Sequence, residues 1–95
     1  MDVIKSLDKY KIAETDNYSK KISSKKYSHL YQKIYDDVYP ILRANPFFGG
    51  NIKKLKGEYK DIYRFRIGNY RLFYKVGDEK FVFIIDIEKR QDAYK

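Results

Sequence analysis

The sequence contains no cysteine, which excludes disulfides and thiolate zinc sites. The absence says little about compartment, since cytosolic proteins need no cysteine. Histidine is almost missing as well: His29 is the only one. A metal site would have to be built from carboxylates and main-chain oxygens, and no suitable cluster of Asp and Glu occurs, so neither a metal nor another cofactor is expected. Long apolar runs are lacking too. No stretch approaches the roughly 20 residues that span a bilayer, and the charged start MDVIKSLDKYK has no signal-peptide core. A cytoplasmic chain with no membrane partner is the expectation. There are no internal repeats and no linker, and 95 residues fit a single domain.

What is abundant is positive charge and tyrosine. Twenty-one Lys and Arg stand against 13 Asp and Glu, a formal net charge of +8. Such a field attracts polyanions, whether nucleic acid, a membrane surface or an acidic protein, although surface lysines also serve plain solubility. Some of the eleven tyrosines must fill the core, while others can stack on a base or anchor a partner helix.

Periodicity divides the chain in two. Tyr10–Glu14 reads as a short strand, and Thr15, Asp16 and Asn17 supply turn and cap groups for a short helix through Tyr18 and Ile22. Tyr27, Leu30, Tyr31, Ile34, Val38 and Ile41 recur at helical steps and mark the apolar face of a second helix. Pro40 is expected to kink its last turn or to end it. Asn45-Pro46 and Gly49-Gly50 mark a loop, and Asn51–Gly57 reads as basic and irregular. From Asp61 the period becomes two. Tyr63, Phe65 and Ile67 alternate with Arg64 and Arg66, Gly68-Asn69 can turn the chain, and strands follow from Tyr70 to Val76 and from Phe81 to Ile87. The expected fold is a two-layer α+β domain: an N-terminal strand, two helices, and a three-stranded antiparallel meander with the helices on one sheet face. That face should carry Tyr63, Phe65, Ile67, Leu72, Tyr74, Phe83, Ile85 and Ile87.

The opposite face is unusual. A two-residue turn at Gly68-Asn69 sets Arg66 opposite Arg71 and Arg64 opposite Phe73, and like charges across a sheet destabilise it. A second two-residue turn at Asp78-Glu79 would set Asp86 opposite Arg71, which could neutralise it as an ordinary surface pair. Arg64 and Arg66 would then still lack an acidic partner. The other reading is an external anion held by several guanidinium groups, whose donor forks match phosphate. Phe73 on this face offers a stacking platform, as RNA-binding surfaces do. Lys53, Lys54 and Lys56 precede the first meander strand, and Arg90 and Tyr94 follow the last.

The pieces Leu55-Lys56-Gly57, Tyr63-Arg64-Phe65-Arg66-Ile67-Gly68, Tyr70-Arg71-Leu72-Phe73-Tyr74 and Arg90 followed by Tyr94 together resemble the RelE family of bacterial and archaeal toxins. The Asn45-Pro46 loop and the helices before it keep the same order. The resemblance spans residues 1–95 as one domain, with 1–9 a short N-terminal extension. It implies a toxin of a type II toxin–antitoxin system: an endoribonuclease that cleaves messenger RNA in the ribosomal decoding site by 2′-hydroxyl attack on the adjacent phosphate. It also implies an acidic antitoxin as partner, with operator DNA contacted indirectly through the antitoxin complex.

By the family's motif Arg71 matches the active-site arginine. Arg64 and Arg66 match basic positions that are lysines in the founding member, Arg90 matches the basic position after the last strand, and Tyr94 matches the terminal tyrosine at an altered spacing. Lys53 matches a loop position that holds glutamate in the related YoeB toxins. Lys54, Lys56 and Phe73 complete the expected RNA-binding set. The departures concern proton transfer. A guanidinium stays charged and cannot serve as a base near neutrality, and an ammonium accepts a proton only after losing one, which neighbouring cations promote. Two other outcomes stay open on sequence: a ParE-like inhibitor of DNA gyrase on the same fold, and a module that has lost cleavage and only binds its antitoxin.

Overall fold

The first strand, β1 (Lys11–Glu14), ends at Thr15, whose extended backbone and side-chain oxygen cap the next helix. Thr15 Oγ1 accepts from the Tyr18 N–H and donates to the Ile84 carbonyl at 2.7 Å. It therefore starts α1 (Asp16–Ile22) and ties it to the last strand in one step. The computed structural model describes residues 9–59 and 61–90.

The second helix, α2 (28–44), is not uniform. A 3₁₀ turn at Ser28–Leu30 leads into α-helical Tyr31–Lys33, a π-turn at Ile34–Val38, and α-helical Tyr39–Ala44. The π-turn accommodates Pro40, which has no N–H to give to the preceding turn, so the helix runs through the proline instead of stopping. Widening the turn also shifts the apolar face. Leu30, Ile34, Val38, Tyr39 and Leu42 are buried, whereas Ile41, expected on that face, is 45% exposed.

The sheet has five strands in the order β1-β5-β4-β3-β2, adding β2 (Ile52–Lys54), β3 (Tyr63–Ile67), β4 (Tyr70–Val76) and β5 (Phe81–Lys89). β1 runs parallel to β5, and every other pairing is antiparallel. The meander and the N-terminal strand are present as expected. Ile52–Lys54, expected to be irregular, is an edge strand on β3, where Arg66 N–H donates to the Asn51 carbonyl at 2.9 Å.

The β3–β4 register is the one the Gly68-Asn69 turn dictates: Ile67 pairs with Tyr70, Arg66 with Arg71 and Arg64 with Phe73. Gly68 supplies the left-handed residue, at φ +57. The β4–β5 register differs from expectation. Residues 77–80 form a four-residue connection in which Glu79 and Lys80 take positive φ, and a bulge follows at Phe73/Tyr74. The longer connection moves the register by one residue and the bulge by one more. Arg71 consequently faces Glu88, and Phe73 faces Asp86. The shift at the connection inverts the parity of the first half of β5, and the bulge restores it at Ile87. Val82, Ile84 and Ile87 enter the core, while Phe83, expected inside, is exposed and Ile85 lies on the opposite face.

The core joins these strand residues to Phe65, Ile67, Leu72 and Tyr74 from the sheet and to Tyr18, Ile22, Tyr27 and the α2 residues above it. A chain of hydroxyls leads from it out to the exposed Glu14. Tyr31 and Tyr39 both donate to Glu14 Oε2 at 2.7 Å, and Tyr39 Oη lies 2.8 Å from Tyr18 Oη. A hydroxyl carries one proton. With Tyr39 donating to the carboxylate, Tyr18 donates to Tyr39. Tyr74 donates to the Pro46 carbonyl at 2.7 Å and so pins the 45–51 loop to the sheet.

Candidate nucleic-acid interface

Because Phe65, Ile67, Leu72, Tyr74 and Ile87 point at the helices, strand alternation sends their neighbours to the other face. Two rows of side chains result. Lys53, Arg64, Phe73 and Asp86 stand across β2, β3, β4 and β5, and Arg66, Arg71 and Glu88 form the next row. Arg64, Arg66 and Arg71 thus share the face away from the core, as the alternation requires. Arg66 and Lys53 are exposed, while Arg64 and Arg71 are half-buried.

Arg71 and Phe73 lie in the floor of a cleft of about 520 Å³. Ile85, Asp86 and Glu88 of β5 complete the floor. Leu55, Tyr59 and Ile62, from the connection between β2 and β3, form the rim. That connection contains a 3₁₀ turn at Gly57–Tyr59 and is closed by a hydrogen bond from Leu55 N–H to the Ile62 carbonyl at 2.9 Å.

The carboxylates of this floor are held from behind. α1 lies along the free part of the β5 edge, where Asn17 Nδ2 donates to the Ile85 carbonyl at 2.9 Å. Lys21 reaches from its last turn to Asp86 Oδ1 at 2.9 Å and to Glu88 Oε2 at 3.3 Å. Burial on its own would lower the lysine's pKa. The hydrogen bonds and the attraction of the two carboxylates outweigh it and hold the ammonium above its ordinary value. Asp86 Oδ1 also accepts from the Ile87 N–H at 2.8 Å.

The remaining expected residues separate. Arg64 Nη1 donates to the Asn51 carbonyl at 3.0 Å, which draws its guanidinium toward the β2 edge. Arg66 borders a second depression with Lys33, Asp37 and Asn51. Lys54 pairs with Tyr63 and lies over its ring at 5.9 Å, so it belongs to the opposite face from Lys53. Lys54 and Lys56 line a third depression with Gly57 and Asp61. Arg90 is exposed just past β5, its N–H bonded to the Asn69 carbonyl, at the same sheet end as Arg66 and Arg71. Tyr94 lies outside the described residues. The sequence singled out Arg71 and Phe73 but not Tyr59, Glu88 or Lys21 as neighbours of the cleft. Glu88 was hidden by the assumed two-residue turn, and Lys21 by the absence of any local signal for the α1–β5 packing. Among the described residues no group of His, Asp and Glu could hold a metal ion, and no helix is long and apolar enough to cross a membrane.

Residues 42–94 match the family described as the ParE toxin of the type II toxin–antitoxin system, parDE. No curated protein matches. Among solved structures, the RelBE2 toxin–antitoxin complex of Mycobacterium tuberculosis contains a chain with TM-score 0.71 and 23% identity, covering 85% of this chain and 98% of that one. The archaeal RelE–RelB complex of Pyrococcus horikoshii OT3 gives 0.61 and 25%, covering 86% and 96%. The YoeB/ParE toxin of Agrobacterium tumefaciens gives 0.63 and 23%, covering 83% and 97%. At this level of identity the likeness is one of fold, and it takes in more than four-fifths of this chain.

Proposed function

The chain belongs to the ParE toxin family of type II toxin–antitoxin systems, within the RelE/ParE superfamily, and from that premise we propose that it is an endoribonuclease cleaving messenger RNA on the ribosome. The observation that carries this reading is the placement of Arg71. It lies half-buried in the cleft floor, on the face turned away from the core, with Phe73 beside it and Arg66 across the ladder. Attack by a ribose 2′-oxygen on the adjacent phosphorus forms the O2′–P bond and breaks the bond to the 5′-oxygen. The 2′-hydroxyl proton leaves to a base, the departing 5′-oxygen gains a proton, and a 2′,3′-cyclic phosphate remains. Negative charge grows on the non-bridging oxygens, where a fixed guanidinium meets it with little reorganisation. Arg64, Arg66 and Arg90 would orient the backbone with Lys56; Lys54, expected in this set, lies on the opposite face from Lys53 and would take no part. Lys53 on the same face, or Tyr94, would move the proton. The partner is an acidic antitoxin segment covering this basic face, through which operator DNA is reached.

One observation favours a second reading. The matching family is named for ParE, and ParE-like toxins inhibit DNA gyrase without cutting RNA. The two are separated by messenger RNA cleavage on programmed ribosomes, wild type beside Arg71→Ala, with product ends mapped. Cyclic or 3′-phosphate ends that fall by about 100-fold or more in the variant support the nuclease, the scale of removing one preorganised donor. An intact wild-type protein that leaves messenger RNA whole while inhibiting gyrase refutes it.

A further inference from the structure

The cleft beside Arg71 is built for more than a phosphate. Leu55, Tyr59, Ile62, Phe73 and Ile85 make most of its lining apolar or aromatic, which a phosphate would not use and a flat heterocycle would. Phe73 offers a ring on the floor, and Tyr59, 61% exposed, offers another on the rim. The two carboxylates would repel a phosphate, yet they stand in the same floor. Their arrangement is specific. Lys21 takes one oxygen of each and partly neutralises the pair. Among the described residues, Oδ2 of Asp86 and Oε1 of Glu88 accept no hydrogen bond. Both side chains converge on one ammonium from alternate positions of one strand, so the two carboxylates are neighbours in the cleft lining that also holds Phe73.

We propose that this cleft binds an unstacked nucleobase and selects guanine, the base next to the phosphate that Arg71 engages; this rests on the RNA-cleaving reading above. Guanine alone presents two adjacent donors, N1–H and N2–H, on its Watson–Crick edge. Adenine and cytosine each set one amino donor beside a ring-nitrogen acceptor, and uracil sets one N–H between two carbonyls. Against two carboxylate oxygens, each of those places acceptor against acceptor. Single-stranded RNA is commonly read in this way, by stacking and by base-edge hydrogen bonds. Asp86 and Glu88 are specificity residues here, and Lys21 is a positioning residue.

The test is calorimetric titration of the full-length protein with the 3′-monophosphates of guanosine, adenosine, cytidine and uridine. Guanylate is expected to bind at least about fivefold tighter than the others, the lower end of discrimination by a bidentate base contact. Asp86→Asn keeps an oxygen for Lys21 and Ile87 and should erase the preference. Tyr59→Ala, on the exposed rim, should weaken all four nucleotides by about fivefold or more, as loss of one base–aromatic stack does. Should Asp86→Asn fail to fold, Glu88→Gln takes its place. No nucleotide binding, equal affinity for all four, or a guanylate preference that survives both carboxylate changes overturns the proposal. Cleavage mapping separates the two readings. Guanylate preference without cleavage keeps the pocket and removes the nuclease, whereas cleavage with equal nucleotide affinities does the reverse.

Discussion

Tyr39→Phe deletes one oxygen atom from the core, and its cost follows from where that oxygen lies. Tyr39 is 1% exposed and Tyr18 is 0% exposed. The Tyr39 hydroxyl is 2.7 Å from Glu14 Oε2 and 2.8 Å from the Tyr18 hydroxyl. Removing it takes one donor from the carboxylate, a charge-assisted bond worth about 1.5–3 kcal/mol. It also strands the buried Tyr18 hydroxyl, which has no other partner among the described residues, at about 1–3 kcal/mol. Tyr31 still donates to Glu14, and partial relaxation trims the sum, so the expected loss is about 2–4 kcal/mol. Tyr18→Phe alone leaves the Tyr39–Glu14 bond intact and should cost about 1 kcal/mol. The double variant has no stranded hydroxyl. It should therefore be more stable than the sum of the single losses predicts, by about 1 kcal/mol or more. Urea unfolding followed by circular dichroism measures all four corners of this cycle, read as midpoint shifts at constant slope. A Tyr39→Phe loss under about 0.5 kcal/mol, or strict additivity in the double variant, would refute the assigned hydroxyl chain.

The same tyrosines set the alkaline limit. Burial, before any neighbour, pushes the hydroxyls of Tyr18, Tyr31, Tyr39 and Tyr74 upward, that of Tyr18 to about 12. A folded-state pKa above the unfolded value means that the stability is whole below the unfolded value of 10.0 and drains away as pH rises toward the folded one. Unfolding between pH 10 and about 12 should therefore release a cooperative step of phenolate absorbance; a smooth titration of all eleven tyrosines with the far-UV signal intact would contradict it. Gly68→Ala meets no atom within 4 Å but keeps φ +57, so its cost is purely conformational, about 1–2 kcal/mol. Gly68→Asn should recover much of that in the same urea assay, and equal losses for the two would sink the backbone explanation.

Legibility in the sequence tracked the range of the interaction involved. The β3–β4 hairpin was readable because a period of two and Gly68-Asn69 lie within a dozen residues, and those determined the Arg66–Arg71 pair. The α1 cap was readable because Thr15 and Tyr18 are three residues apart. The π-turn was only half readable: Pro40 announced a disturbance, but whether the helix stops or widens depends on Tyr39 and Leu42 finding buried places. β2 has no pattern of its own, since three residues at a basic edge become a strand only when β3 is beside them. The bulge at Phe73/Tyr74 is least legible. It reconciles a four-residue connection with the burial of Ile84 and Ile87, a balance struck across two strands. Arg71 and Phe73 were consequently placed from sequence, whereas Glu88, Lys21 and Tyr59 required the folded chain.

The parallel pairing of β1 with β5 carries a consequence for synthesis. Lys11–Glu14 is made early and Phe81–Ile84 late, yet each is the other's ladder partner. α1 likewise leans on Ile84, Ile85 and Asp86 for its cap, its flank and its lysine. A nascent chain that has delivered both helices still lacks the strand they pack on, and pairings so distant in sequence are slow to close. Assembly of the domain, and with it of the face bearing Arg71, waits for the final strand. A fragment that stops before Phe81 therefore lacks the ladder partner of β1 and the flank of α1, and with them the framework that holds Arg71 on its face.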